Sequence, residues 1–322
     1  MNSEFNNDLA RGQWGLDDGI IVSDCGAVGD EASTAYVNGT AEMQVTAAVN
    51  GGCDYNCGSM YRSHLAAALS AGTINDSAVD RAASRLLRKT FELGLFDPIG
   101  SVPFARYGPE RLGQNSELAL EGATQSIVLL KNDAAAGSNS PLLPLAPGAK
   151  VALIGPHLNV SVDMLSNYHG DNLDVHNHTP LLALSRRGAV VGHATGSGLF
   201  GNDTSGFADA AALASKADVA LVFVGLHPQW FDDAPVDDSS EGEARDREDI
   251  LLPAVQRQLI KAICATGVPV VLVLINGGQV AIPWAKQHVP SIVESFYPGQ
   301  RAVPLRNGRI SSRRPPIHVP PS

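Results

Sequence analysis

The sequence has few of the features that mark membrane, disulfide-rich or nucleic-acid-binding proteins. No apolar run among its 322 residues is long enough to cross a bilayer, and the polar opening MNSEFNNDLARGQ is not a basic and apolar leader. Four cysteines are too few to form a disulfide scaffold in a chain of this length. With 23 basic and 33 acidic residues, the net charge of -10 argues against a nucleic-acid partner.

What remains is the composition of an ordinary globular protein with room for two domains, each with its own core. In the second half, predicted helices alternate with nearly continuous apolar segments such as 219–225 (VALVFVG) and 268–276. Such alternation predicts a parallel sheet covered by helices on both faces. An acidic surface suits a protein that acts on neutral ligands such as sugars.

In the first part of the chain we predict helices over residues 41–49 and 64–70 from apolar spacing and from the glycines that follow them. A longer amphipathic helix is predicted to run through Phe91, with Asp76 or Ser77 as its N-cap.

Residues 19–30 read GIIVSDCGAVGD and contain the first candidate for chemistry. The apolar run 20–22 ends in a polar and glycine-rich segment, which predicts a buried strand that leads into a loop. Asp24 lies where this strand ends, and in a parallel α/β barrel the C-terminal strand ends carry the active site. An aspartate at such a place also commonly forms a turn or caps a helix, and the stretch alone leaves these alternatives open.

A long acidic loop follows the apolar segment 219–225 and contains residues 241–247, EGEARDR. On its own, a charge run of this kind is typical of a solvated loop.

Two other patterns suggest ligands but lack the context that those ligands need. Residues 196–201 fit G-x-G-x-x-G, yet residues 202–205 (NDTS) do not open a helix, which argues against a dinucleotide site. The spacing of a histidine and aspartate group fits no familiar metal site, so we predict no metal. This group comprises His169, Asp171, Asp174, His176 and His178.

Several segments together resemble glycoside hydrolase family 3. Residues 9–28, LARGQWGLDDGIIVSDCGAV, resemble the strand that carries the catalytic nucleophile in that family, and the resemblance assigns this role to Asp24. The Cys-Gly-Ala-Val continuation is similar to the branch of β-xylosidases and arabinofuranosidases. Residues 50–61, NGGCDYNCGSMY, resemble the Asp-x-x-Cys-Gly loop of the same branch. The resemblance implies a disulfide between Cys25 and Cys57, while Cys53 and Cys264 are expected to be free thiols.

The acidic loop resembles the Glu-x-Glu-Gly-x-Asp-Arg segment that supplies the family's general acid/base. Counting back from Asp246 and Arg247 assigns the acid/base to Glu243, with Glu241 as the second choice. Asp246 and Arg247 are expected to pair and hold the loop. A retaining glycosidase needs two carboxyl groups about 5–5.5 Å apart, one ionised as nucleophile and one protonated as acid.

Substrate contacts are implied as well. Residues 166–170, SNYHG, resemble the family's Asn-Tyr-x-Gly loop, which makes Tyr168 a candidate for sugar binding together with Glu241. Trp230 could stack on a sugar, and a role as a core or surface anchor is an equal alternative.

The resemblance implies an α/β protein with four segments. They are the last part of a (β/α)8 barrel with the nucleophile (residues 1–97), a linker (98–115), an α/β sandwich domain with a mostly parallel sheet and the acid/base loop (116–300), and an Arg- and Pro-rich tail predicted to be disordered (301–322).

The function implied is a retaining exo-glycosidase without a cofactor, most similar to a β-xylosidase acting on xylan-derived oligosaccharides. The earlier barrel strands are expected to be missing, and a complete site would need them. Two alternatives stay open: β-glucosidase or α-arabinofuranosidase specificity, and a non-catalytic fragment such as a sugar-binding remnant or a truncated gene product.

Five N-x-S/T triplets favour a secreted, extracellular glycoprotein whose leader would precede this chain. They begin at Asn38, Asn75, Asn159, Asn177 and Asn202.

Overall fold

The computed structural model describes residues 2–30, 39–106, 108, 115–170, 178–186, 189–229, 240–243 and 246–301. Residues 302–322 of the predicted tail and part of the linker lie outside these ranges. So do several candidate residues, namely Asn38, Asp171, Asp174, His176, Asn177 and Trp230. The chain divides into two compact units, Met1–Arg111 and Leu112–Ser322. None of the described helices combines the length and apolar character needed to cross a membrane.

Unit 1 is helical in its described part. Its longer helices are a π-helix over Glu4–Gln13, α1 over Ala41–Asn50, α2 over Met60–Ser70 and α3 over Asp76–Glu92. Helices α1 and α2 pack on each other around buried Val45 and Ala68, because each helix turns one apolar face inward.

The N-cap of α3 is Asn75, so the expectation of Asp76 or Ser77 was wrong. Asn75 has extended backbone angles, and its side chain accepts a hydrogen bond from the Ala78 amide at 2.8 Å. Asp76 therefore falls in the first turn, where its charge favours the helix N-terminus.

The predicted buried strand over residues 20–22 was also wrong. Val22 is 45% exposed and forms a single parallel bridge with Tyr55. Ser23 continues this pairing through its amide, which donates to the Tyr55 carbonyl at 3.0 Å. A strand becomes regular and buried when neighbours pair with both of its edges, and the described part of unit 1 supplies one such neighbour.

Unit 2 contains a six-stranded sheet in its described part. The strands are β1 Val128–Asn132, β2 Val151–Ile154, β3 Val190–Ala194, β4 Val219–Gly225, β5 Val270–Ile275 and β6 Ser291–Glu294. Their order across the sheet is β1-β6-β5-β4-β2-β3, and every neighbouring pair is parallel except β1 and β6. This confirms the predicted α/β class with a mostly parallel sheet.

Both faces of this sheet are covered. Along β4, Leu221 and Phe223 belong to one apolar cluster, whereas Val222 and Val224 belong to the cluster on the opposite face, as the two-residue period of a strand requires. The helices of unit 2 are α4 Ser116–Ser126, α5 Pro180–Ser185, α6 Phe207–Ala214, α7 Ala254–Cys264 and α8 Pro283–His288. Helices α6, α7 and α8 contribute to the cluster that contains Val222 and Val224, and α5 packs against the cluster that contains Leu221 and Phe223.

Strands β2, β4, β5 and β6 are parallel, so their carboxyl ends lie along one edge, which in open α/β sheets is where ligands bind. Gly225 ends β4 at φ 156, and a Cβ there would meet the Ile275 carbonyl oxygen at 1.8 Å. Only glycine fits this close approach, and it releases the chain from β4 into the acidic loop.

Candidate active site

Asp24 lies on an exposed turn of unit 1, immediately after buried Ser23. Its Oδ1 accepts a hydrogen bond from the Cys25 amide at 2.7 Å, and its carbonyl accepts one from the Ala27 amide at 3.2 Å. These bonds fix the backbone of the turn while the side chain stays accessible to solvent.

The turn is tied to the neighbouring loop on both sides of Asp24. The Ser23 hydroxyl accepts hydrogen bonds from the Cys57 amide at 3.0 Å and from Asn56 Nδ2 at 3.1 Å. On the other side Cys25 and Cys57 form the predicted disulfide, with their Cα atoms 4.4 Å apart. Cys53 and Cys264 are free thiols, as expected.

Behind the turn, the buried carboxylate of Asp54 joins separate parts of unit 1. It forms ion pairs with Arg11 and, at 2.9 Å, with Arg85. Its Oδ2 also accepts a hydrogen bond from the Ile21 amide at 2.9 Å, which anchors the segment that leads to Asp24. The sequence analysis placed Asp54 in the segment 50–61 but assigned it no role.

In unit 2 the acidic loop starts from a fixed backbone position. Buried Gln256 on α7 forms hydrogen bonds with both backbone groups of Gly225. Its Oε1 accepts from the Gly225 amide at 2.8 Å, and its Nε2 donates to the Gly225 carbonyl at 3.0 Å. Just beyond, His157 donates from Nε2 to the Leu226 carbonyl at 2.9 Å. Burial lowers the pKa of His157 and favours the neutral imidazole, although the bond to the Leu226 carbonyl acts in the opposite direction.

The described end of the loop returns to the same edge through a two-residue strand, Ser240–Glu241, which pairs with His227–Pro228. The side chain of Glu241 is held there by three donors. Its Oε1 accepts from the Gly277 amide at 2.5 Å and from the Tyr297 hydroxyl, and its Oε2 accepts from the Gly278 amide at 2.7 Å.

Glu243 has a different environment only two residues further along. It is exposed, and it follows Gly242, whose φ of 138 lies in the region that favours glycine. A Cβ at Gly242 would lie 2.7 Å from the Gln229 carbonyl oxygen and 3.4 Å from Asn167 Nδ2. The turn that presents Glu243 therefore depends on glycine at this position.

Of the two aromatic candidates for sugar binding, the structure describes Tyr168, whereas Trp230 lies outside the described residues. Tyr168 is 69% exposed and follows buried Asn167, so its loop lies beside the Gly242 turn.

The expected pairing of Asp246 with Arg247 was wrong. The Arg247 guanidinium donates instead to the carbonyl of Leu251, near the end of the loop, and to that of Gln279 in the segment after β5.

Sequence reasoning missed a second carboxyl group at this edge. Glu294 ends β6, is buried, and accepts from the Phe296 amide at 2.9 Å. Burial, with a contribution from the nearby charge of Glu241, raises the pKa of Glu294 to about 7. The sequence offered two signals for this pair of glutamates. One is a carboxyl group within the mostly apolar segment 291–297, and the other is the glycine pair 277–278 after β5.

The remaining predicted sites lie in exposed positions or outside the described ranges. Asn75, Asn159 and Asn202 are exposed, and their glycosylation stays a prediction. No three His, Cys, Asp or Glu side chains in the described ranges are grouped so that they could hold a metal ion.

Comparison with known proteins gives concordant results. The sequence profile of the glycosyl hydrolase family 3 C-terminal domain matches residues 127–304. Beta-D-xylosidase 1 of Arabidopsis thaliana is 34% identical over 298 residues, which cover 90% of this chain and 36% of that protein. The probable exo-1,4-beta-xylosidase bxlB of Aspergillus terreus is 33% identical over 262 residues, which cover 81% of this chain and 32% of that protein. The chain thus spans about a third of the length of these relatives.

Two solved structures show the same similarity in three dimensions. A GH3 exo-beta-xylosidase, XlnD, in complex with a xylobiose aziridine activity-based probe matches with a TM-score of 0.80 and 29% identity over 94% of this chain and 37% of its own. A beta-glucosidase from Listeria innocua in complex with isofagomine matches with a TM-score of 0.76 and 26% identity over 94% of this chain and 40% of its own. Because the family profile alone matches more than half of the 322 residues, the protein belongs to glycosyl hydrolase family 3.

Proposed function

We propose that this chain contributes both catalytic carboxyl groups of a retaining exo-glycosidase that removes xylose from the non-reducing ends of β-linked oligosaccharides. The observation that carries the proposal is the similarity, over 90% of this chain, to a named β-xylosidase. The exposed carboxyl groups of Asp24 and Glu243 support it, because each lies at the position that the family motifs assign to a catalytic group.

In the proposed mechanism the ionised Asp24 attacks the anomeric carbon of the sugar while Glu243 donates its proton to the departing glycosidic oxygen. A covalent glycosyl ester on Asp24 results, and Glu243 is left as a carboxylate. Glu243 then takes a proton from water, whose oxygen attacks the same carbon and releases Asp24. Two inversions at one carbon return the original β configuration.

Glu243 is favoured over Glu241 as the acid/base because of their hydrogen bonds. Three donors occupy the carboxyl oxygens of Glu241, so this side chain is already engaged within the protein. Glu243 is exposed and can approach a substrate oxygen.

Hydrolysis of an aryl β-xyloside by this chain, with and without Asp24→Asn, tests the proposal. We expect turnover in the unsubstituted chain and a loss of at least about a thousandfold in the variant, since removing a nucleophile eliminates the covalent route. Aryl β-glucoside and aryl α-arabinofuranoside serve as comparison substrates for specificity.

The matched control is Asp80→Asn, which removes an exposed carboxyl of α3 and is expected to keep full turnover. Turnover that survives Asp24→Asn would refute the assigned nucleophile. A folded sample without turnover on any of the three substrates would refute activity of this chain.

A further inference from the structure

The loop that carries Glu243 is attached to the sheet edge through the side chain of Glu241. Two consecutive backbone amides, those of Gly277 and Gly278, point at one carboxylate, which is a favourable arrangement for binding an anion. The Tyr297 hydroxyl supplies the third donor. We call this group of four residues the Glu241 clamp.

The sequence around the clamp is adapted to this carboxylate. A Cβ at Gly278 would lie 2.7 Å from Glu241 Oε2, and one at Gly277 would lie 3.2 Å from Oε1. Any larger residue at position 278 would therefore push the carboxylate away. Burial and the charge of Glu241 raise the pKa of Tyr297, so its hydroxyl keeps the proton that it donates.

Fixing Glu241 limits where Glu243 can lie, because only Gly242 separates them and two residues of chain span at most about 7 Å. The backbone is restrained at the same place, since the Gln229 amide donates to the Glu241 carbonyl at 2.8 Å. The three residues 241–243 thus have distinct tasks: attachment, a backbone conformation that favours glycine, and presentation of a carboxyl group.

We propose that Glu241 is a positioning residue that holds the Gly242–Glu243 turn on the sheet edge and so sets where the acid/base carboxyl lies. The inference rests on the proposed function for its catalytic consequence. Its structural consequence can be tested whether or not the chain turns over substrate.

The first test measures hydrogen exchange of the Gly277 and Gly278 amides in protein labelled with 15N-glycine. In Glu241→Gln the amide group presents one oxygen in place of two, so at least one of these bonds is lost. We expect exchange at one or both amides to become at least about tenfold faster, in line with the loss of a bond to a charged acceptor. Glu248→Gln, an exposed neighbour in the same loop, is the matched control and should leave both rates unchanged.

The second test compares aryl β-xylosides with good and poor leaving groups. A displaced acid/base should matter mainly for the poor leaving group, because a dinitrophenolate departs without a proton. We expect kcat/KM of Glu241→Gln to fall by roughly tenfold or more for 4-methylphenyl β-xyloside and by less than about threefold for 2,4-dinitrophenyl β-xyloside. Tyr297→Phe removes one donor of three and should show the same pattern with a smaller amplitude, which separates positioning from misfolding.

Unchanged exchange in Glu241→Gln would overturn the clamp. Equal losses with both leaving groups would overturn its link to the acid/base, since a general loss of structure has no leaving-group dependence. If the unsubstituted chain hydrolyses neither xyloside, the proposed function fails by itself, and the exchange rates alone decide whether Glu241 holds the turn.

Discussion

At the scale of single residues, the carboxyl edge of the unit 2 sheet contains two glutamates with different surroundings. Glu241 accepts hydrogen bonds from two backbone amides, whereas Glu294 is buried near the charge of Glu241, and both the burial and this charge raise the pKa of Glu294. Glu294 titrates near neutral pH as a result. This carboxyl therefore couples stability to pH between the ordinary pKa of a glutamate and neutral pH.

We expect Glu294 to make the protein less stable as pH rises from about 4.5 to 7. Over this window the unfolded chain releases the proton and the folded chain retains it, so the free energy of unfolding falls, by an amount on the order of 3 kcal/mol. Glu294→Gln keeps the acceptor for Phe296 and cannot ionise. Denaturant unfolding of both proteins across this range should show the variant gaining relative stability up to pH 7, and a constant difference would contradict the raised pKa.

At the scale of elements, unit 1 combines apolar packing with a network of charged groups. Helix α3 is amphipathic, yet none of its residues is fully buried. Its Ala78 and Val79 pack on the apolar cluster of α1 and α2, and Arg85 connects it to Asp54. Arg11 performs the same task for the π-helix. Both guanidinium groups converge on Asp54, which also holds the Ile21 amide of the segment before Asp24.

Asp54→Asn is expected to destabilise unit 1 by about 3–5 kcal/mol, because it leaves the buried Arg11 cation without a counter-charge. Urea unfolding measures the effect. The same substitution at exposed Asp80 on α3 should change the free energy of unfolding by no more than about 0.5 kcal/mol. Similar values for the two variants would mean that the Asp54 network contributes little.

At the scale of the whole molecule, the two units are stabilised in different ways. Unit 2 has a sheet with an apolar cluster on each face. The described part of unit 1 has smaller apolar clusters and a disulfide between Cys25 and Cys57, 32 residues apart. A crosslink that closes a loop of this length mainly restricts the unfolded chain.

Reduction of the disulfide is therefore expected to destabilise unit 1 by about 3–4 kcal/mol and to leave the sheet of unit 2 unaffected. Hydrogen exchange of peptides from both units, with and without reductant, measures this directly. A protein with serine at both positions, Cys25→Ser with Cys57→Ser, should behave as the reduced protein and no longer respond to reductant. Faster exchange throughout unit 2 on reduction would contradict the expectation.

The sequence by itself determined the alternation of helices and strands and the mostly parallel sheet, because apolar periodicity is a local property of the chain. The candidates Asp24 and Glu243 came from the resemblance of short segments to family motifs, and their roles stay proposals. The resemblance of the loop around Cys57 to a known branch also led to the correct disulfide. Local apolar pattern could not predict whether residues 20–22 form a regular strand, because that depends on the neighbouring strands available for pairing.

Only the tertiary structure decided which groups surround Glu241 and Glu294 at the sheet edge. The donors to Glu241 come from residues 36, 37 and 56 positions away, and no local pattern encodes that meeting. Burial at the end of β6, together with the charge brought beside it by the fold, likewise sets the pKa of Glu294. Protonation depends on the surroundings of a carboxyl group, and those surroundings exist only once distant segments have packed together.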